Sequence, residues 1–360
     1  MAEPTRITRD LFGTLPDGRA VERVVLQGEN GFEASIITFG AALQALLVPD
    51  VNGVCDDVVL GHDDLLSYVL FRHYFGASVG RYANRIADAR FVLDGEVIRL
   101  NANDGAHALH GGPDGFDRRL WQIAEVEDGE EPAVTLHYVS ADGEENFPGR
   151  LDIRVTYRLT GPTELSVVFE ARTNRRTIVN LTNHSFFNLE GLASAVDVLD
   201  HRLTIAADEF LAIDEAAIPL PGPPRAVEGT PFDFRSSIPI GVRIREDDRQ
   251  IHYGRGYDHN YCLRPGDGVR LAARLEAPLS GRVMDLLTDQ PGLQFYSGNY
   301  LNGTYGGKAR MYRQSDAICL EPQRWPDSPN RPDFPSAELL PGEVYRHQTV
   351  YRFSIAGAAT

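Results

Sequence analysis

Leu151-Asp152-Ile153-Arg154-Val155-Thr156-Tyr157-Arg158-Leu159 has an apolar residue at every odd position and a polar one at every even position. A period of two belongs to a strand with one buried face, and it suits an antiparallel sheet whose other face meets water. Gly161-Pro162-Thr163 then turns the chain into a second strand over Glu164 to Arg172. The same alternation predicts strands at Trp121 to Val126, Ala133 to Val139 and Tyr345 to Ile355.

Working outward, shorter apolar runs predict strands at Arg23–Gln27, Glu33–Phe39, Leu43–Val48, Asp57–Leu60, Thr177–Leu181 and Arg202–Ala206. Further runs lie at Val269–Ala277, Arg282–Thr288, Leu293–Ser297 and Ala317–Leu320. Phe91 to Leu100 around Asp94-Gly95 reads as a hairpin, because both turn positions need positive φ. Only Asp63–Leu70 suggests a helical turn or two. Ile218 to Ile240 contains prolines, has little periodicity and reads as a surface loop or a lid. Strands in this number with no long helix predict an all-β protein, a large antiparallel β-sandwich. No change of composition marks a linker, so residues 1–360 are expected to form one domain.

The formal net charge is -16. That charge disfavours nucleic acid or an anionic membrane as partner. Lys308 is the sole lysine, which leaves little room for Schiff-base chemistry. Cys55, Cys262 and Cys319 are dispersed and odd in number, so they read as buried or semi-buried thiols, not as a disulfide framework or a zinc–thiolate site. Met1 to Arg6 lacks the apolar core of an export signal, and no apolar run spans a bilayer. A cytoplasmic protein is expected.

Four stretches could carry chemistry. Thr182-Asn183-His184-Ser185-Phe186-Phe187-Asn188 places a histidine at a strand end among polar neighbours. Alone, such a histidine is commonly a satisfied structural residue; here Asn183, Ser185 and Asn188 are expected to fix its ring tautomer. Leu109-His110-Gly111-Gly112 could be a ligand-approaching loop or a plain surface loop. Gly256-Tyr257-Asp258-His259-Asn260 joins a carboxylate to aromatic residues, as sugar sites do, or is simply a turn. Glu321 ends the apolar run Ile318-Cys319-Leu320, where a carboxylate is costly unless paired or used. Gly303 to Ala309 lacks the glycine spacing of a phosphate loop. His110, His184 and His259 could gather on a metal, but no tight ligand spacing supports it.

Taken together with Gly80-Arg81-Tyr82-Ala83-Asn84-Arg85-Ile86 and Leu293-Gln294-Phe295-Tyr296-Ser297-Gly298-Asn299, these stretches resemble the aldose 1-epimerases, or galactose mutarotases, in the family's order. The resemblance implies the galactose mutarotase-like supersandwich, with a monosaccharide such as glucose or galactose bound in a cleft. It implies no cofactor and no metal, and a monomer or homodimer. Glu321 would be the general base, His184 the general acid, and His110 would hydrogen-bond near the ring oxygen. Asn84, Arg85, Asp258 and Gln294 would hold hydroxyls, with Arg81 and Ser185 as further binding candidates. Phe186 stands where many members have tyrosine, and Pro322 where threonine is frequent. Three rival readings use the same residues: a glycoside hydrolase with Asp258 as second carboxylate, a phosphosugar epimerase using Arg81 and Arg85, and a non-catalytic sugar sensor.

Overall fold

The computed structural model describes residues 6–357. Met1 to Thr5, most of the stretch read for an export signal, lie outside the described residues. The Leu151–Gly161 strand sits inside a nine-stranded sheet, between Ala133–Ser140 and Glu164–Thr173. Leu151, Ile153, Val155, Tyr157 and Leu159 are all buried, as the period of two requires. The sheet continues through Tyr345–Ile355, Arg282–Thr288 and Arg270–Glu276, and these pairings are antiparallel.

A five-stranded meander, Ile7–Thr14 to Cys55–Asp57, lies earlier in the chain. A six-stranded sheet runs in the order Phe186–Phe187, Ile318–Gln323, Gly292–Tyr296, Asp258–Leu263, Ala207–Phe210 and Arg225–Ala226. One apolar cluster joins the three sheets, with Ile36 and Leu46 from the first, Ile153 and Val167 from the largest, and Phe295 and Leu320 from the third. The protein is thus an all-β sandwich. Its α-helices, Leu65–Leu70 and Arg249–Gly254, are short and capped by Asp64 and Asp248. No helix among the described residues is long and apolar enough to cross a membrane.

Ile218 to Ile240 departs from the expected surface loop or lid. It is irregular, yet Val227, Phe232, Phe234 and Ile240 are buried in the main cluster. Phe232 stacks on Phe210 at 4.4 Å, and the Pro231 carbonyl accepts from the Tyr257 hydroxyl. Its apolar residues bury one at a time and so leave no period to read. The Gly303 to Ala309 stretch is a hairpin end, where the Lys308 ammonium is held by Asp57 at 2.6 Å and by the carbonyls of Gln44 and Val59.

Ile153 has no exposed surface. Ile153→Ala is expected to cost about 2–5 kcal/mol, read as a lower urea midpoint at unchanged slope. A loss below about 1 kcal/mol would show that the alternating strand does not anchor this core.

Candidate active site

The six-stranded sheet positions the site by alternation. Along Ile318–Gln323, Ile318 and Leu320 enter the core, so Cys319 and Glu321 take the other face. Along Gly292–Tyr296, Leu293 and Phe295 enter the core, and Gln294 and Tyr296 face away. Cross-strand register aligns Phe186, Cys319, Tyr296 and Asp258 in one row. Glu321, Gln294 and Asn260 form the next row. The Thr182–His184 strand pairs with Ala77–Val79 and brings His184 to the same place.

A cavity opens over these rows. Asn84, Arg85, His110, His184, Phe186, Asp258, Gln294, Tyr296 and Glu321 all line it. Arg72, Tyr74, Tyr300 and Leu301 are also part of its wall. His184 Nε2 lies 3.6 Å from Glu321 Oε1, too long for a hydrogen bond, so the two groups share an edge without satisfying each other. Glu321 is 2 % exposed, yet its Oε2 has no partner, and neither has Gln294 Oε1. Buried polar atoms are rarely left so. Burial raises the Glu321 carboxyl well above its usual range, and the Asp258 charge adds to this. Burial lowers His184 to about 4.

His110 sits on a left-handed turn with φ 52°, followed by Gly111 at φ 84°. A Cβ on Gly111 would overlap the Gly80 carbonyl oxygen, so the loop needs glycine there. The backbone N–H of Asn84 donates to His110 Nδ1 at 3.1 Å. Burial, then the nearby His184 and arginines, lowers its basicity. The ring is therefore neutral with its hydrogen on Nε2, a donor. Gln294 Nε2 donates to Asp258 Oδ1 at 2.7 Å. Burial raises the Asp258 carboxyl, opposed by Arg85 and by that bond. Both cavity arginines are already paired. Arg85 meets Asp104 at 2.7 Å, and Arg72 grips both Asp117 oxygens at 2.7 Å.

Several expected placements differ. Arg81 does not line the cavity; its guanidinium is buried among Ser140 Oγ and the carbonyls of Pro148, Ser140 and Ala141. Ser185 points the other way and donates to Asn183 Oδ1 at 2.6 Å. Asn183 bonds to the Gly76 carbonyl and the Tyr157 hydroxyl, and Asn188 to the carbonyls of Val196 and Asp316. None of the three touches the His184 ring, because strand alternation puts Asn183 and Ser185 on the face opposite His184 and Phe186. His259, one residue from Asp258, is likewise on the core side against Phe232 and Gln250. Glu321 does not end its strand, which runs on through Pro322 to Gln323.

Phe186 lies beside the ring as the resemblance implies, and Tyr74 and Cys319 are further neighbours that no motif assigns to it. Tyr74 and Phe186 stack within 20° of its plane, and Cys319 Sγ lies 3.5 Å from Nδ1. Cys319 is two residues from Glu321, so strand period alone would have put them on one face. His184, Cys319 and Glu321 are a ligand set by residue type, with donor atoms within 4.8 Å of one another. Burial, aided by Glu321 and Asp258, raises the Cys319 thiol and keeps it protonated, whereas metals bind thiolate.

The aldose 1-epimerase family model matches residues 22–352. The chain belongs to this family. It is 44% identical to the galactose mutarotase of Rattus norvegicus over 352 residues, covering 97% of this chain and 99% of the relative. It is 39% identical to the aldose 1-epimerase of Escherichia coli over 341 residues, 94% of this chain and 96% of the relative. The crystal structure of galactose 1-epimerase from Lactobacillus acidophilus superposes with a TM-score of 0.86 at 28% identity, covering 98% of this chain and 100% of that one.

Proposed function

We propose that the protein is an isomerase, an aldose 1-epimerase that interconverts the α and β anomers of a free aldose in this cavity. The observation that carries the reading is the buried, unpartnered Oε2 of Glu321 on a cavity wall it shares with His184. Glu321 takes the proton of the C1 hydroxyl. The C1–O5 bond breaks, its electron pair goes to O5, and O5 takes the proton of His184 Nε2. The O1 lone pair completes the carbonyl. After rotation about C1–C2, O5 attacks the other carbonyl face. On closure His184 regains its proton from O5, and Glu321 returns one to O1. His110, with its hydrogen on Nε2, donates near the ring oxygen. Asp258, Gln294, Asn84 and Arg85 hold hydroxyls and keep the sugar in register.

The pair carries one proton throughout. In the empty cavity burial keeps both groups uncharged, so that proton rests on Glu321. A bound C1 hydroxyl donating to Glu321 favours the carboxylate, and His184 then holds the proton. Family membership over nearly the whole chain and the His184–Glu321 pair together favour an enzyme over a non-catalytic sugar sensor. The arginine pairing favours a neutral sugar over a phosphosugar, since Arg72 and Arg85 have no free charge to offer. Unpaired Cys55, Cys262 and Cys319 suit a reducing cytoplasm, and the shared core suits one domain over 1–360.

Glu321→Gln and His184→Asn should each slow anomer interconversion by about 10²–10⁴-fold, with circular dichroism unchanged. Polarimetry on fresh α-glucose reads this; near-parental rates in either folded variant reject the assignment. Glucose 6-phosphate should show a kcat/KM at least about tenfold below glucose, because a phosphate beside paired arginines and two carboxyls goes uncompensated. Equal values would favour the phosphosugar reading.

A further inference from the structure

Of the atoms around the His184 ring, one has no place in the mechanism so far: Cys319 Sγ. Its row on the sheet, Phe186–Cys319–Tyr296–Asp258, otherwise reaches the cavity. Cys319 does not, and it has no exposed surface. Its sulfur lies against the Nδ1 edge of His184 at 3.5 Å, while the Nε2 edge faces Glu321. Tyr74 and Phe186 hold the ring plane by stacking, with His110 edge-on at 5.2 Å. Stacking fixes a plane but says nothing about which nitrogen carries hydrogen. That choice belongs to the Nδ1 partner.

We propose that Cys319 is the positioning residue of His184, its sulfur accepting the Nδ1 hydrogen so that Nε2 stays free to exchange a proton with the sugar. The proposal rests on the reading of His184 as the acid. Reversibility supplies the argument. Once Nε2 has given its proton to O5, it must keep a bare lone pair to take that proton back. A neutral imidazole with a bare Nε2 carries its hydrogen on Nδ1. That hydrogen is buried and needs an acceptor, and sulfur is the side-chain atom placed to serve. His110 has the opposite arrangement, since a backbone N–H donates to its Nδ1 and leaves the hydrogen on Nε2. The two cavity histidines are thus set in opposite tautomers, one a fixed donor and one a reversible carrier.

Sulfur suits the task because it is a weak acceptor. A carboxylate at Nδ1 would stabilise the imidazolium and hold the proton on His184. A neutral thiol orients the ring and leaves it weakly basic, as its burial also does. A weakly basic ring, once protonated, gives its proton to O5 readily.

The test combines kinetics with nitrogen-15 NMR of histidine-labelled protein. In the parent at neutral pH, His184 should show a protonated Nδ1 and a bare Nε2. Cys319→Ala should lower kcat by about tenfold, a share of what a positioned acid contributes, with KM within about twofold. Its His184 signals should shift towards the Nε2–H tautomer. Cys319→Ser, whose hydroxyl oxygen accepts from Nδ1–H, should restore the parental tautomer and most of kcat. A parent His184 found with hydrogen on Nε2 would overturn the proposal, even if Cys319→Ala failed to fold. Unchanged kcat and unchanged tautomer in Cys319→Ala would overturn it too. If His184→Asn itself keeps full activity, the reading of His184 as acid fails first, and that result is distinct from either of these.

Discussion

Glu321 is a carboxyl group on a buried sheet face with one oxygen left unpartnered. Water cannot solvate it there, so its charged form is costly and the group holds its proton. The opposite face of the same strand pins it, because Ile318 and Leu320 are locked into the main core. Moving the carboxyl would mean pulling those side chains out. The sandwich therefore supplies what catalysis needs, a polar group kept in an unfavourable place by apolar packing elsewhere. Gln294 and Asp258 on the neighbouring strands, and His184 beside it on the same wall, are arranged around that fixed point.

The electrostatics follow. Burial raises the acid and lowers the base, so the one proton of the pair rests on Glu321 in the empty cavity and passes to His184 when a bound hydroxyl favours the carboxylate. Ring opening and closing move that proton back and forth with no net change of charge in the site. Arg85 and Asp104 balance the cavity near Asp258, and Arg72 and Asp117 balance its far wall. The neutralised arginines give the cavity directional donors without a bare positive charge, which suits hydroxyl recognition.

Much of this was legible along the chain, because a strand's period of two states which residues share a face. Arg282–Thr288, read from its apolar run, and Tyr345–Ile355, read from its alternation, have the expected bounds. Ile7–Thr14 carries no such signal, because it is a mostly exposed strand with little apolar pattern. His184, Glu321, His110, Asn84, Arg85, Asp258 and Gln294 were found by motif, and all of them line one cavity. Sequence and structure part where a neighbour along the chain is not a neighbour in space. Asn183 and Ser185 flank His184 in the chain and face away from it, and Arg81 near Asn84 serves a loop at Ser140 to Pro148. What holds the His184 ring comes from residues 74, 186 and 319, and pairing across strands is invisible to a one-dimensional pattern. Phe186 and Cys319 are the two that strand period can give, from their i, i+2 spacing to His184 and Glu321.

The shared proton has a direct kinetic signature. With one proton on the pair, activity is independent of pH; with two, no base remains. The second proton binds His184, so the acid limb of kcat/KM, which reports the free enzyme, marks the His184 pKa. Polarimetric kcat/KM for glucose, corrected for the buffer reaction, should stay flat as pH falls through the ordinary histidine range and drop only near pH about 4. A limb near the unperturbed histidine value of about 6.5 would contradict the account, since it would mean that His184 is not held neutral by burial.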